Sequence, residues 1–170
     1  MSGATVRLFL ALWPSQGTRG ALVENALLWH WPPSARLTHP ERLHITLHFL
    51  GNVPSSRLPE LGARLQAPFK AFDMSLGTAE VWKGGIAVLC ADEIPDELRQ
   101  LHDRLALELQ ALELPVEERP LRVHVTLARQ AQGARMPAAA PQVKWPARDG
   151  YALVRSLPGG QGYETVQRFA

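Results

Sequence analysis

Two short runs in this chain pair an imidazole with a hydroxyl at the same spacing. His44-Ile45-Thr46-Leu47 and His124-Val125-Thr126-Leu127 lie 80 residues apart. Residues two apart on an extended strand share a face, about 6.6 Å from each other along the axis. Each run therefore presents a histidine and a threonine side by side. Random order of this composition would yield only ~0.05 copies of His-apolar-Thr-apolar. Imidazole titrates near neutrality, so one ring of such a pair can donate a proton while the other accepts one. Each transfer is worth about 10²–10⁴ in rate. A hydroxyl beside each ring suits a tetrahedral anion. A phosphodiester fits the arrangement, because its hydrolysis needs leaving-group protonation, an activated water and stabilised equatorial oxygens. A cyclic phosphate is the easiest such substrate without metal, because ring strain favours opening.

Other chemistry fits less well. On strict alternation His48 joins the face of His44 and Thr46. Residues four apart on a strand are about 13 Å apart, too far for His44 and His48 to hold one zinc ion. The sequence has no HExxH, no CxxC and no dense carboxylate cluster, so neither a metal nor a cofactor is expected. It also lacks a GxSxG elbow and a phosphate-binding P-loop. His48 reads as a cleft wall or surface residue. His30 and His39 flank a loop, and His102 reads as facing solvent or a contact between lobes.

The two runs sit in a repeated frame. Val6 to Trp13 reads as a strand ended by Pro14, with Ser15 as a cap for a helix over Gln16 to Trp29. A proline-rich loop, Trp31 to Arg42, leads into the first motif strand, Leu43 to Gly51. Ser55 to Gln66 reads as a second helix and Phe69 to Val81 as extended. After the turn Trp82-Lys83-Gly84-Gly85 the frame returns. Ile86 to Ala91 is a strand. A helix starting at Pro95 and Asp96 runs to Leu112 with a leucine stripe. Leu114 to Pro120 is a loop, and Arg122 to Arg129 the second motif strand. Strand, helix, loop and strand thus occur twice, each copy closing on the His-x-Thr run. Ala131 to Pro146 reads as a surface loop. Tyr151 to Ser156 and Gly162 to Phe169 read as a final pair of strands around a glycine-rich turn.

Composition sets the frame for partners. The chain has 170 residues, 46% of them hydrophobic and 20% charged. That suffices for one well-formed domain over residues 1–170, or for two small lobes sharing a core. The net charge of +2 is too small to argue for nucleic acid by itself. The basic residues are mostly arginine, which suits bidentate phosphate contacts. The lone cysteine, Cys90, sits in an apolar strand and reads as a packed thiol rather than a nucleophile. The apolar run Leu8 to Trp13 is too short for a signal-peptide core, and no segment is long and apolar enough to span a bilayer. The expectation is a cytoplasmic protein without a membrane partner.

With these residues in hand, the chain resembles the two-histidine phosphoesterase superfamily. Within it, the chain is similar to the bacterial and archaeal RNA 2′,3′-cyclic phosphodiesterases, historically called 2′-5′ RNA ligases. RLFLALWP, LHITLHFLG, RPLRVHVTLAR and SLPGGQGYETVQRF resemble the family's first strand, its two motif blocks and its closing hairpin. The resemblance implies an α+β fold of two pseudo-symmetric lobes, each an antiparallel sheet backed by helices, with the active-site cleft between them. It implies metal-independent hydrolysis of RNA or nucleotide 2′,3′-cyclic phosphate ends to 2′-phosphates. His44 would be the proton donor and His124 the proton acceptor. Thr46, Thr126 and Arg129 would bind phosphate. On strict alternation Arg129 faces away from His124, so that role needs a bulge or the strand's end. The family commonly has proline before the second histidine. Here Val123 stands there, preceded by Arg122, a candidate substrate contact on the face of His124. The rival readings are 2′-5′ phosphodiester cleavage, reversible 2′-5′ RNA joining, and an RNA-end-binding module without catalysis.

Overall fold

The computed structural model describes residues 3–170. Nine strands form one antiparallel sheet, backed by three α-helices. In chain order the strands are β1 (Thr5–Leu12), β2 (Arg36–Leu37), β3 (Ile45–Pro54), β4 (Phe72–Trp82), β5 (Ile86–Ala91), β6 (His124–Arg129), β7 (Val143–Ala147), β8 (Tyr151–Ser156) and β9 (Tyr163–Phe169). The helices are α1 (Gln16–Leu27), α2 (Leu58–Arg64) and α3 (Asp96–Ala111). The spatial order is β7-β4-β5-β6-β3-β1-β8-β9, with β2 paired to β6. Read outward from the middle, each half is a motif strand, then the first strand of its repeat, then a further pair. This is the expected α+β fold of two antiparallel halves, and the halves meet edge to edge.

The repeat alone leaves strand direction open, and the loops decide it. A helix alone would return the chain for a parallel strand. The irregular stretch between α1 and β3 carries it back again, so Ile45 enters opposite Leu12 at the far end of β1. The stretch between α3 and β6 does the same and sets His124 opposite Cys90.

The helices tie the halves together. Ser15 caps α1 by accepting from the Thr18 amide at 3.2 Å. The Thr18 hydroxyl donates to the Lys144 carbonyl at 2.9 Å, so a helix from the first half lies against β7 of the second. Helix α3 buries Leu98, Leu101, Leu105 and Leu109, the stripe of a one-faced helix. It crosses the other way and contacts β3. No helix of the described residues is long and apolar enough to cross a membrane.

Two expectations need correction. Ala131 to Pro146 is not loop throughout, because Val143–Ala147 is β7. Pro146 hid it. Proline cannot donate to a ladder, and it is tolerated here because β7 is an edge strand paired only with β4, Pro146 opposite Asp73. The second helix is shorter than Ser55 to Gln66. Ser55–Arg57 forms a 3₁₀ turn, and the α-helix starts only at Leu58, with Pro59 in its first turn.

Candidate active site

The two motif strands touch at one pair. Ile45 and Val125 face each other across the seam, and both are fully buried. Beyond that pair the strands part. The Thr38 amide donates to Leu127 O and the Thr38 hydroxyl to Thr126 O, both within 2.9 Å, and β2 takes the end of β6. Since Ile45 and Val125 point into the core, alternation turns His44, Thr46, His124 and Thr126 onto the opposite, open face. The structure therefore brings the four motif residues to one face at one seam.

Both imidazoles are oriented by the same device. His44 Nδ1 lies 2.6 Å from the Arg42 carbonyl, and His124 Nδ1 lies 2.7 Å from the Arg122 carbonyl. A carbonyl only accepts, so Nδ1 carries the hydrogen in each ring and Nε2 is left for chemistry. His44 Nε2 meets the Thr46 hydroxyl at 3.0 Å. Burial is the main reason that both imidazoles titrate below their ordinary 6.5. The carbonyl bonds oppose that shift. Mutual repulsion between the rings lowers His44 further, and the charge of Arg129 lowers both.

That influence of Arg129 has a structural origin. Each motif strand carries a bulge at the residue after its threonine. Ala11 pairs with Thr46 and Leu10 with His48, leaving Leu47 extra. Val88 pairs with Thr126 and Ala87 with Ala128, leaving Leu127 extra. A bulge inserts one residue and reverses the alternation beyond it. Arg129 consequently returns to the face of His124. The same step corrects the reading of His48, which does not share the face of His44 and Thr46. It lies on the helix side, only 4% exposed, with Nε2 donating to the His102 carbonyl at 2.9 Å and its ring stacked 4.0 Å from that of His102. Phe49 takes the open face instead, 6.2 Å from Phe9.

Burial holds His48 near a pKa of about 4 in the fold, against 6.5 for the free group. A depressed pKa makes the unfolded chain the better proton acceptor. The contribution of His48 is therefore intact above 6.5 and is lost as pH falls from there toward 4. Between pH 7 and pH 5 this amounts to about 2 kcal/mol. Urea titrations at the two pH values should show His48→Gln losing less stability on acidification than wild type by that amount. Equal losses would place the acid sensitivity elsewhere.

Sequence reasoning missed the walls around the histidines. His44 packs against Phe9 at 5.0 Å, Tyr163 at 5.3 Å and Trp13 at 5.5 Å. The signal was present in VRLFLALW, whose second face, Phe9, Ala11 and Trp13, is as apolar as the first. His124 packs against Trp82 at 4.5 Å. Arg122 pairs with Glu80 beside it, on the face expected. Cys90 is buried opposite His124. Its thiol, pushed up to about 12 mainly by burial, donates to Glu80 at 3.2 Å. Among the described residues no three His, Cys, Asp or Glu side chains converge as a metal site. Two surface pockets, of 440 and 400 Å³, lie away from the motifs, beside Met136 and beside Arg168.

With this geometry, the pattern of the 2′-5′ RNA ligase superfamily matches residues 31–156, which hold both motifs. The chain belongs to that superfamily. It is 34% identical to the RNA 2′,3′-cyclic phosphodiesterase of Thermus thermophilus, over 97% of this chain and 90% of that one. A solved Thermus thermophilus protein, 29% identical, superposes with a TM-score of 0.74 over 96% of each chain. E. coli LigT in its apo form, 24% identical, superposes with a TM-score of 0.82 over 99% of this chain and 98% of its own, a likeness of fold.

Proposed function

We propose that this chain hydrolyses the 2′,3′-cyclic phosphate at an RNA end, or on a small nucleotide, to a 2′-phosphomonoester without a metal ion. The observation that carries the reading is the matched pair of imidazoles. Each is fixed through Nδ1–H to a backbone carbonyl two residues earlier, and each turns Nε2 to one open face. The Thermus relative named for this activity supports it. His124 Nε2 takes a proton from water as the water oxygen bonds to phosphorus. The bond from phosphorus to the 3′-oxygen breaks, and that oxygen takes the proton held on His44 Nε2. The 2′-ester remains. Solvent then returns a proton to His44 and removes one from His124. Thr46 and Thr126 hydroxyls hold equatorial oxygens, and Arg129 balances the charge that grows on them.

Because both imidazoles of the free enzyme titrate below 6.5, the bell of kcat/KM should be centred on the acid side of that value. The anionic substrate phosphate favours protonated imidazole, so the kcat bell should be displaced upward. The test is turnover of adenosine 2′,3′-cyclic phosphate across pH 4.5–8.5, with and without EDTA, the product isomer being identified by phosphorus NMR. Full activity in chelator and a 2′-phosphate product are expected. A 3′-phosphate product, or loss of activity with EDTA that added metal restores, would overturn the reading.

A further inference from the structure

The block beside His124 has a feature that the reaction above leaves unused. Arg122 lies two residues before His124, about 6.6 Å along an extended chain, and its carbonyl orients the imidazole. Its guanidinium is held on two sides. Nη2 donates to Glu80 Oε2 at 3.1 Å and to Oε1 at 3.4 Å. The guanidinium also lies over the Trp82 ring at 4.4 Å from its centroid, and that ring packs against His124. An exposed ion pair contributes little to stability, and the side chain of Arg122 is 58% exposed. What the clamp does is fix an otherwise mobile cation. Among the described residues its Nε and Nη1 donate to no acceptor. A planar fork with unused donors, already ordered, binds an oxyanion at a lower entropic cost than a free arginine would.

We infer that Arg122 is a specificity residue that binds the phosphate on the 5′ side of the terminal nucleotide, so that the site reads two consecutive phosphates of an RNA end. The inference rests on the function proposed above, in which the terminal phosphate sits between His44 and His124. The step from His124 to Arg122 is comparable with the separation of the two phosphates flanking one ribose. The opposite half has Arg42 at the matching position, two residues before His44 with its guanidinium beside Gly162, but among the described residues no carboxylate or aromatic ring fixes that cation as Glu80 and Trp82 fix Arg122. Glu80 is a positioning residue here, acting through the guanidinium.

Calorimetric titration with two ligands tests the inference without needing turnover. Adenosine 2′,5′-bisphosphate carries both phosphates, and adenosine 2′-monophosphate only one. Wild type should bind the bisphosphate at least about tenfold more tightly, as a charge-assisted contact requires. Arg122→Met, which keeps an apolar stem over Trp82, should bring the affinity ratio to within about twofold. Arg122→Lys, with charge but no fork, should fall between. Equal affinities in wild type, a ratio that survives in Arg122→Met, or no binding of either ligand would each overturn the inference. Turnover of adenosine 2′,3′-cyclic phosphate by wild type, measured alongside, is the separate check on the underlying reaction.

Discussion

His124→Ala is expected to lower kcat on a 2′,3′-cyclic nucleotide by about three to four orders of magnitude, and His44→Ala by a similar factor. The expectation follows from orientation as much as from chemistry. Each ring is aimed by a single bond from Nδ1 to a carbonyl two residues back, and no neighbouring imidazole can take over. His48, the nearest histidine in sequence to His44, is on the other side of the sheet. Because the two rings act in one step, the double variant should be little worse than either single one. Thermal melts should show both variants folded, since the motif rings lie outside the main hydrophobic cluster. Turnover within about tenfold of wild type in either folded variant would contradict the assigned roles.

The largest effect on stability is expected at a position without a side chain. Gly150 joins β7 to β8 with φ +79°, the left-handed region that favours glycine. A Cβ there would overlap the Phe169 carbonyl oxygen, which is backbone and has little room to yield. That carbonyl belongs to the Tyr151–Phe169 pair, the end of the β8–β9 ladder. Gly150→Ala should therefore cost at least about 3 kcal/mol, the sum of φ strain and a displaced strand end. In a protein of this size the melting temperature should fall by roughly 6–12 °C. Gly159→Ala is the control. It has φ +70° and open space for a Cβ, so it meets the strain without the clash and should cost less. Similar losses at both sites would show that the close approach at Gly150 is not what matters.

The motif histidines and threonines are legible in the sequence because two independent signals coincide there. The period-2 pattern says which face each residue takes, and the repeat says that two such faces belong together. The same period-2 reading fails two residues later. It puts His48 on the wrong face because a bulge is one unpaired residue, and nothing in LHITLHFLG marks Leu47 as the one that drops out of register. The bulge at Leu127 can at least be posed as a condition, since Arg129 has to turn back for its role. Pro146 misleads in the opposite sense, hiding a strand that its edge position permits. The crossing of α1 and α3 to opposite halves has no local signal, because leucine stripes say that a helix is covered and not by what.

The paired bulges have one more consequence. A cleft built from two copies of one frame is close to two-fold symmetric, whereas a cyclic phosphate ester has a distinct breaking bond on one side and an incoming water on the other. A symmetric site would accept the ester either way round, and half of the encounters would present the wrong oxygen to the acid. The position two residues past each bulge is the same in both copies, yet it holds Phe49 in one and Arg129 in the other. A phenyl ring at one end and a fixed positive charge at the other give the site a head and a tail. In the reaction proposed above, the duplication would supply two proton carriers, and the mismatch at this one position would tell the ester which of them it meets first.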